Sequence, residues 1–162
     1  SHVALPEDER SRDELEHDIR PFKQLPLSAV MPAHVVYTKV DFRTAGFSPV
    51  WHAILRDELG FDGAVFSDDL SMEGASTAGD MVARADAAWQ AGCDVLLVCN
   101  APNEADALLA SWHPEFEAQR SRRIEALLPT TSFAEIKKNP ALMELYQAGL
   151  RAIAGLAASC AT

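Results

Sequence analysis

The chain has 162 residues, 48% of them hydrophobic and 23% charged, the composition of a globular domain with a core of its own. A net charge of -10 argues against nucleic acid or an anionic membrane surface as the main partner, because both require clustered Lys and Arg. There is no run of about 18 apolar residues that could span a membrane, and the start of the chain is acidic (Glu7, Asp8, Glu9), unlike a signal peptide.

In chain order, residues 7–18 are dense in charges of mixed sign and read as a solvated surface segment. Residues 27–31 form a first short strand, apolar on both faces, as a parallel strand covered by helices should be. Ser48-Pro49 is a helix start, with Ser as N-cap and Pro at the first helical position. Trp51, Ile54, Leu55 and Leu59 then recur at helical spacing, and Gly60 stops the helix. Residues 63–67 form a second strand. A helix follows with Met81, Ala85, Ala88 and Trp89 on one stripe, ended by Gly92. Residues 94–99 form a third strand. Residues 112–123 are polar and helical, a solvated face. Asn139-Pro140 opens a last helix whose inner face is Leu142, Leu145, Gly149, Ile153 and Leu156. The three cysteines, Cys93, Cys99 and Cys160, form no Cys-x-x-Cys pair and read as buried, reduced thiols of a cytoplasmic protein.

Strand, helix, strand, helix, strand, helices, at a spacing of roughly 30 to 35 residues, is a series of βα units, which makes this an α/β protein with a parallel sheet. An open doubly wound sheet and a piece of a (β/α)8 barrel both fit. The absence of Gly-x-Gly-x-x-Gly and of a Walker loop weakens the nucleotide-binding version of the first. With no low-complexity linker, residues 1–162 are expected to lie in one domain.

In both architectures the ligand site lies beyond the carboxyl ends of the strands. His34 follows the first strand, Asp68 and Asp69 follow the second, and Asn100 follows the third, so these polar groups converge on one mouth. Either Asp could instead cap the next helix, and His34 could be a satisfied core histidine. Spacing leaves the chemistry open. Asp68, Asp69 and His34 could hold a metal for hydrolysis or phosphoryl transfer, or the carboxylates could serve glycoside hydrolysis.

The block Gly60-Phe61-Asp62-Gly63-Ala64-Val65-Phe66-Ser67-Asp68-Asp69-Leu70-Ser71-Met72-Glu73-Gly74-Ala75 resembles the nucleophile motif of family 3 glycoside hydrolases, in particular their bacterial β-N-acetylglucosaminidases of cell-wall recycling. Met31-Pro32-Ala33-His34-Val35-Val36-Tyr37 resembles the family's preceding strand-end motif, and Ser1-His2-Val3-Ala4-Leu5-Pro6 the tail of its Asp-Ser-His loop. Leu70 stands near a position where β-glucosidase relatives carry an aromatic residue, which points to the N-acetylglucosaminidase branch.

The resemblance implies a (β/α)8 barrel, of which this chain carries the C-terminal strands and helices. It implies a retaining hydrolase without cofactor or metal, with Asp68 as nucleophile and His2 as general acid/base. His34 is expected to line the sugar pocket, and the substrate to be a muropeptide, N-acetylglucosaminyl-1,6-anhydro-N-acetylmuramic acid with or without peptide. The Asp before the Ser-His pair and the Lys-His-Phe-Pro-Gly-His-Gly segment that binds the sugar do not occur in this sequence. A barrel needs about 250 residues, so the N-terminal remainder is the expected partner. The 20–27 connection is also short for the family. The competing expectations are an inert or binding-only half barrel and a metal-dependent hydrolase.

Overall fold

The computed structural model describes residues 4–159, and side chains through residue 155. The chain divides into two compact units, Ser1–Leu127 and Leu128–Thr162.

In the first unit, β2 (Ala29–Val30), β4 (Ala64–Asp69) and β5 (Val95–Leu97) form a parallel sheet in the order β2-β4-β5. Ala29 faces Ala64 and Val30 faces Val65. Phe66 faces Val95, but Asp69 faces Leu97, so β4 carries one extra residue between the two pairs. The strands alternate with helices as predicted. β2 and β5 are shorter than expected because, among the described residues, each is paired on one side only. β4 is longer and ends on Asp69, so both Asp residues belong to the strand itself.

The helix starts follow from local chemistry. The Ser48 hydroxyl accepts from Trp51 N at 3.1 Å and Pro49 opens α2 (Pro49–Ala53). The helix continues as a wider π-helical turn, Ile54–Glu58, with Leu59 N donating to Ile54 O at 3.0 Å. Asp80 caps α3 (Met81–Ala91) by accepting from Ala83 N at 2.9 Å. Gly92 ends it at φ +124°, where a Cβ would stand 2.8 Å from His52 Nδ1, so the turn needs glycine twice over. The core packs Phe47, Phe61, Val65, Leu70, Ala85 and Leu108 together. Burying each of the larger side chains contributes about 1.5–3 kcal/mol.

Residues 7–18 are more ordered than their charge suggests. β1 (Glu7–Asp8) pairs in parallel with β3 (Val36–Tyr37). α1 (Arg12–Gln24) starts on a capping box: Ser11 Oγ accepts from Glu14 N at 3.4 Å, and the Glu14 carboxylate accepts from Ser11 N at 2.7 Å. Leu15 is its buried anchor. Over residues 112–123 the expected helix is also displaced. α4 (Pro102–Ser111) stops at Trp112, whose Nε1 donates to Asp86 at 2.7 Å, and α5 runs over Ala118–Glu125. Its face is not simply solvated, since Arg120 and Arg123 reach inward. Arg120 lies 3.8 Å from the Trp89 ring centroid and donates to Trp89 O at 3.0 Å.

The second unit is α6 (Phe133–Lys138) and α7 (Pro140–Ser159). Ser132 and Glu135 form another capping box. Phe133 meets Tyr146 edge-on at 5.4 Å. The apolar stripe of α7, Leu142, Leu145, Gly149 and Ile153, runs along most of its length, and within this unit α6 alone faces it. The Leu156 side chain lies outside the described residues. A six-residue helix is too short to cover a stripe along a twenty-residue one. Among the described residues no helix is long and apolar enough to cross a membrane.

Candidate active site

β4 carries Asp68 and Asp69 to the carboxyl edge of the sheet, at the extra residue in its ladder. Such bulges re-aim side chains and are common beside active sites. The irregular ladder is repaired by one side chain and one backbone bond: buried Ser67 Oγ accepts from Leu97 N at 2.9 Å, and Leu70 N donates to Leu97 O at 2.9 Å.

The two carboxylates have different fates. Asp69 Oδ1 accepts from Ser71 N and Cys99 N, both at 2.9 Å. Ser71 Oγ lies 2.8 Å from each Asp69 oxygen and 2.8 Å from Cys99 O, so its one proton serves these acceptors in turn. Burial would raise the Asp69 carboxyl, but the Cys99 and Ser71 amides and the Ser71 hydroxyl outweigh it and hold it below the usual carboxylate range. Asp69 is thus the tie between β4, the following turn and β5. Asp68 is bound more lightly. Its Oδ1 accepts from Asp69 N at 2.8 Å and its Oδ2 from His34 N at 3.3 Å, both backbone donors. Among the described residues that leaves lone pairs free on a half-buried carboxylate.

His34 is fully buried after β2, tilted against Phe47 at 5.2 Å between ring centroids. Its Nε2 lies 3.1 Å from Asp69 O. His34, Asp68 and Asp69 are therefore brought together as expected. Asn100 follows Cys99 directly and turns the chain at φ +56°, but its side chain joins none of these bonds among the described residues. His2 lies outside the described residues, as does Cys160. Cys93 is buried, its thiol pushed up to about 12 by burial and by Asp94. Cys99 departs from expectation: it is exposed, because it sits at the sheet's open carboxyl edge. Ser71 and Cys99 join the site without a signal in the sequence, whereas Ser67 shows itself as a polar residue at the end of an apolar strand. Among the described residues no three His, Cys, Asp or Glu side chains are grouped so as to hold a metal ion.

A second polar cluster stands at the amino ends of the same strands. Asp94, buried just before β5, accepts from Val65 N at 2.8 Å, Arg56 Nη2 at 2.9 Å and Arg123 Nη1 at 3.2 Å. Arg56 also donates to Phe61 O at 2.9 Å and Gly63 O at 2.7 Å, a reach that starts from the π-helical turn.

Residues 1–118 match the Glycosyl hydrolase family 3 N terminal domain. The chain belongs to glycosyl hydrolase family 3. The α/β fold with its parallel strands is that of the family's barrel-type domain. A β-hexosaminidase of Methylobacillus flagellatus is 51% identical over 76% of the chain, and one of Aromatoleum aromaticum 46% identical over 96%. The crystal structure of NagZ from Neisseria gonorrhoeae in complex with N-trifluoroacetyl-D-glucosamine superposes with a TM-score of 0.76 at 41% identity, covering 89% of the chain. The chain spans less than half the length of these family 3 proteins: 37% and 45% of the two relatives, and 44% of the solved chain.

Proposed function

We propose that the enzyme carrying this chain is a retaining β-N-acetylglucosaminidase. It removes terminal N-acetylglucosamine from peptidoglycan fragments, N-acetylglucosaminyl-1,6-anhydro-N-acetylmuramic acid with or without peptide, in the cytoplasm. The observation that carries the reading is the contrast between the two carboxylates: Asp69 is occupied, while Asp68 is held by two backbone amides with lone pairs to spare. The relatives named β-hexosaminidase and the NagZ complex with an N-acylglucosamine support the choice of sugar. Residues outside this chain complete the barrel and supply most of the sugar pocket.

In the first step Asp68 attacks the anomeric carbon while His2 gives its proton to the departing glycosidic oxygen. In the second, neutral His2 takes a proton from water, and the water oxygen displaces Asp68 from the anomeric carbon. A histidine suits this role because its ordinary pKa lies near neutrality. The chain path supports His2 as the partner. Val36 N donates to Pro6 O at 3.0 Å, and Val36 is two residues from His34, whose N–H meets Asp68. Four residues from His2 to Pro6 span at most about 14 Å.

The test is covalent trapping. An activated 5-fluoro-N-acetylglucosaminyl fluoride should stall the intact enzyme as a glycosyl-enzyme, with the added mass on the peptide containing Asp68. Asp68→Ala should lower kcat by about 10⁴-fold or more. Label on another residue, or near-normal turnover in the variant, sinks the assignment. Loss of activity on adding a chelator would restore the metal-dependent reading.

A further inference from the structure

His34 has two separate links to the end of β4. Its backbone N–H reaches Asp68 Oδ2 at 3.3 Å, and its ring Nε2 reaches Asp69 O at 3.1 Å. A carbonyl oxygen only accepts, so Nε2 must carry a proton. Asp69 O also accepts from Met72 N at 3.1 Å, which uses both of its lone pairs and fixes the residue whose N–H holds Asp68 Oδ1. The opposite ring nitrogen, Nδ1, is buried without a partner among the described residues, and a Cβ on Gly46 would stand 4.0 Å from it. A second proton there would be a buried charge with no acceptor, so the ring is held neutral. Burial pushes the ring below the ordinary histidine range and Arg84 adds to this, while the Asp69 carbonyl and the Asp68 and Asp69 carboxylates oppose it.

We propose that His34 is a positioning residue for Asp68: a neutral Nε2–H clamp that fixes the bulged end of β4 without touching the sugar. The proposal rests on the reading of Asp68 as nucleophile. The ring is fully buried already, and further chain around it can only bury it more, so it offers no surface for a ligand. What it controls is the orientation of the two amides that aim the Asp68 carboxylate. Misplacing a nucleophile by about 1 Å is enough to cost on the order of 10²-fold in rate.

Two substitutions in the intact enzyme test this. His34→Leu keeps apolar volume and removes the donor. His34→Gln restores an N–H near the Nε2 position. His34→Leu should lower kcat by about 10²-fold while the inhibition constant of N-acetylglucosamine changes by less than about twofold, and His34→Gln should recover most of the loss. If His34→Leu instead weakens N-acetylglucosamine by tenfold or more with kcat retained, or leaves both unchanged, the proposal falls. A measurement on the unsubstituted protein stands apart from activity. Nitrogen NMR of the His34 ring should show the neutral Nε2–H tautomer at pH 6.5, where a free imidazole is about half protonated, whereas an Nδ1–H tautomer or a cationic ring there overturns the clamp. A clamped ring in a protein that cleaves no N-acetylglucosaminide would instead defeat the proposed function alone.

Discussion

The two ends of β4 treat carboxylates in opposite ways. At the amino end, Asp94 is buried and bonded to two guanidinium groups and a backbone amide. At the carboxyl end, among the described residues, Asp68 meets only backbone N–H groups, and Asp69 meets backbone N–H groups and one hydroxyl. A buried carboxylate paired with two cations is locked in place by its charge partners, so it serves as structure. One held by two neutral amides has fewer partners and keeps acceptor sites for another group. The same division between a stabilising foot and a reactive mouth is general in barrels of this kind.

Exchanging the two roles would break that comparison. Asp94→Ala leaves Arg56 and Arg123 facing each other without their shared anion, and should cost about 3–5 kcal/mol of stability. Asp68→Ala should cost less than about 1 kcal/mol, because the two amides it leaves lie at a half-open edge that water can reach. Urea unfolding of both variants checks this. A larger loss at Asp68 than at Asp94 would reverse the assignment of foot and mouth.

The foot was the less legible of the two ends. The mouth could be read because polar residues directly follow apolar runs: His34 after residues 27–31, and Asp68 and Asp69 at the end of 63–67. The foot depends on side chains that cross from elsewhere. Arg56 reaches Asp94 from a π-helical turn that no spacing rule announces, and Arg123 comes from a helix whose sequence looks uniformly solvated. β1 and β3 are two residues each, too short to carry a period. α1 was legible and overlooked: Ser11 and Glu14 stand at capping-box spacing, masked by the charge around them.

Titration sharpens the comparison, because His52 belongs to the foot. Burial and the nearby Arg56 cation push it down from 6.5 to about 4. Between those values the unfolded chain takes up a proton that the folded chain refuses. Stability is therefore complete above pH 6.5 and falls as the pH drops toward 4, by on the order of 3 kcal/mol. His34 shifts in the same direction and adds to the slope. Asp41, whose carboxyl is buried but held down by Ser48 and Arg43, acts only at lower pH, below 3.8. Urea midpoints from pH 7 to 4.5 should fall steeply in the unsubstituted protein and more gently in His52→Leu. Parallel slopes would show that His52 is not the group responsible.

A smaller effect than that of Asp94 concerns the point where β4 begins. A Cβ on Gly63 would collide with Ser28 O and come within 2.6 Å of the Phe61 ring. Ser28 O cannot retreat freely, because it accepts from Ala64 N at 3.0 Å and so starts the β2–β4 ladder. Gly63→Ala should therefore cost about 1–3 kcal/mol through overpacking. It should leave kcat per folded molecule unchanged, since Asp68 lies five residues along the strand, about 16 Å away. Denaturation curves and active-site titration of the same preparation separate the two quantities. If kcat falls while stability holds, strain at the foot travels the length of β4, and the two ends are not the independent regions that their hydrogen bonds describe.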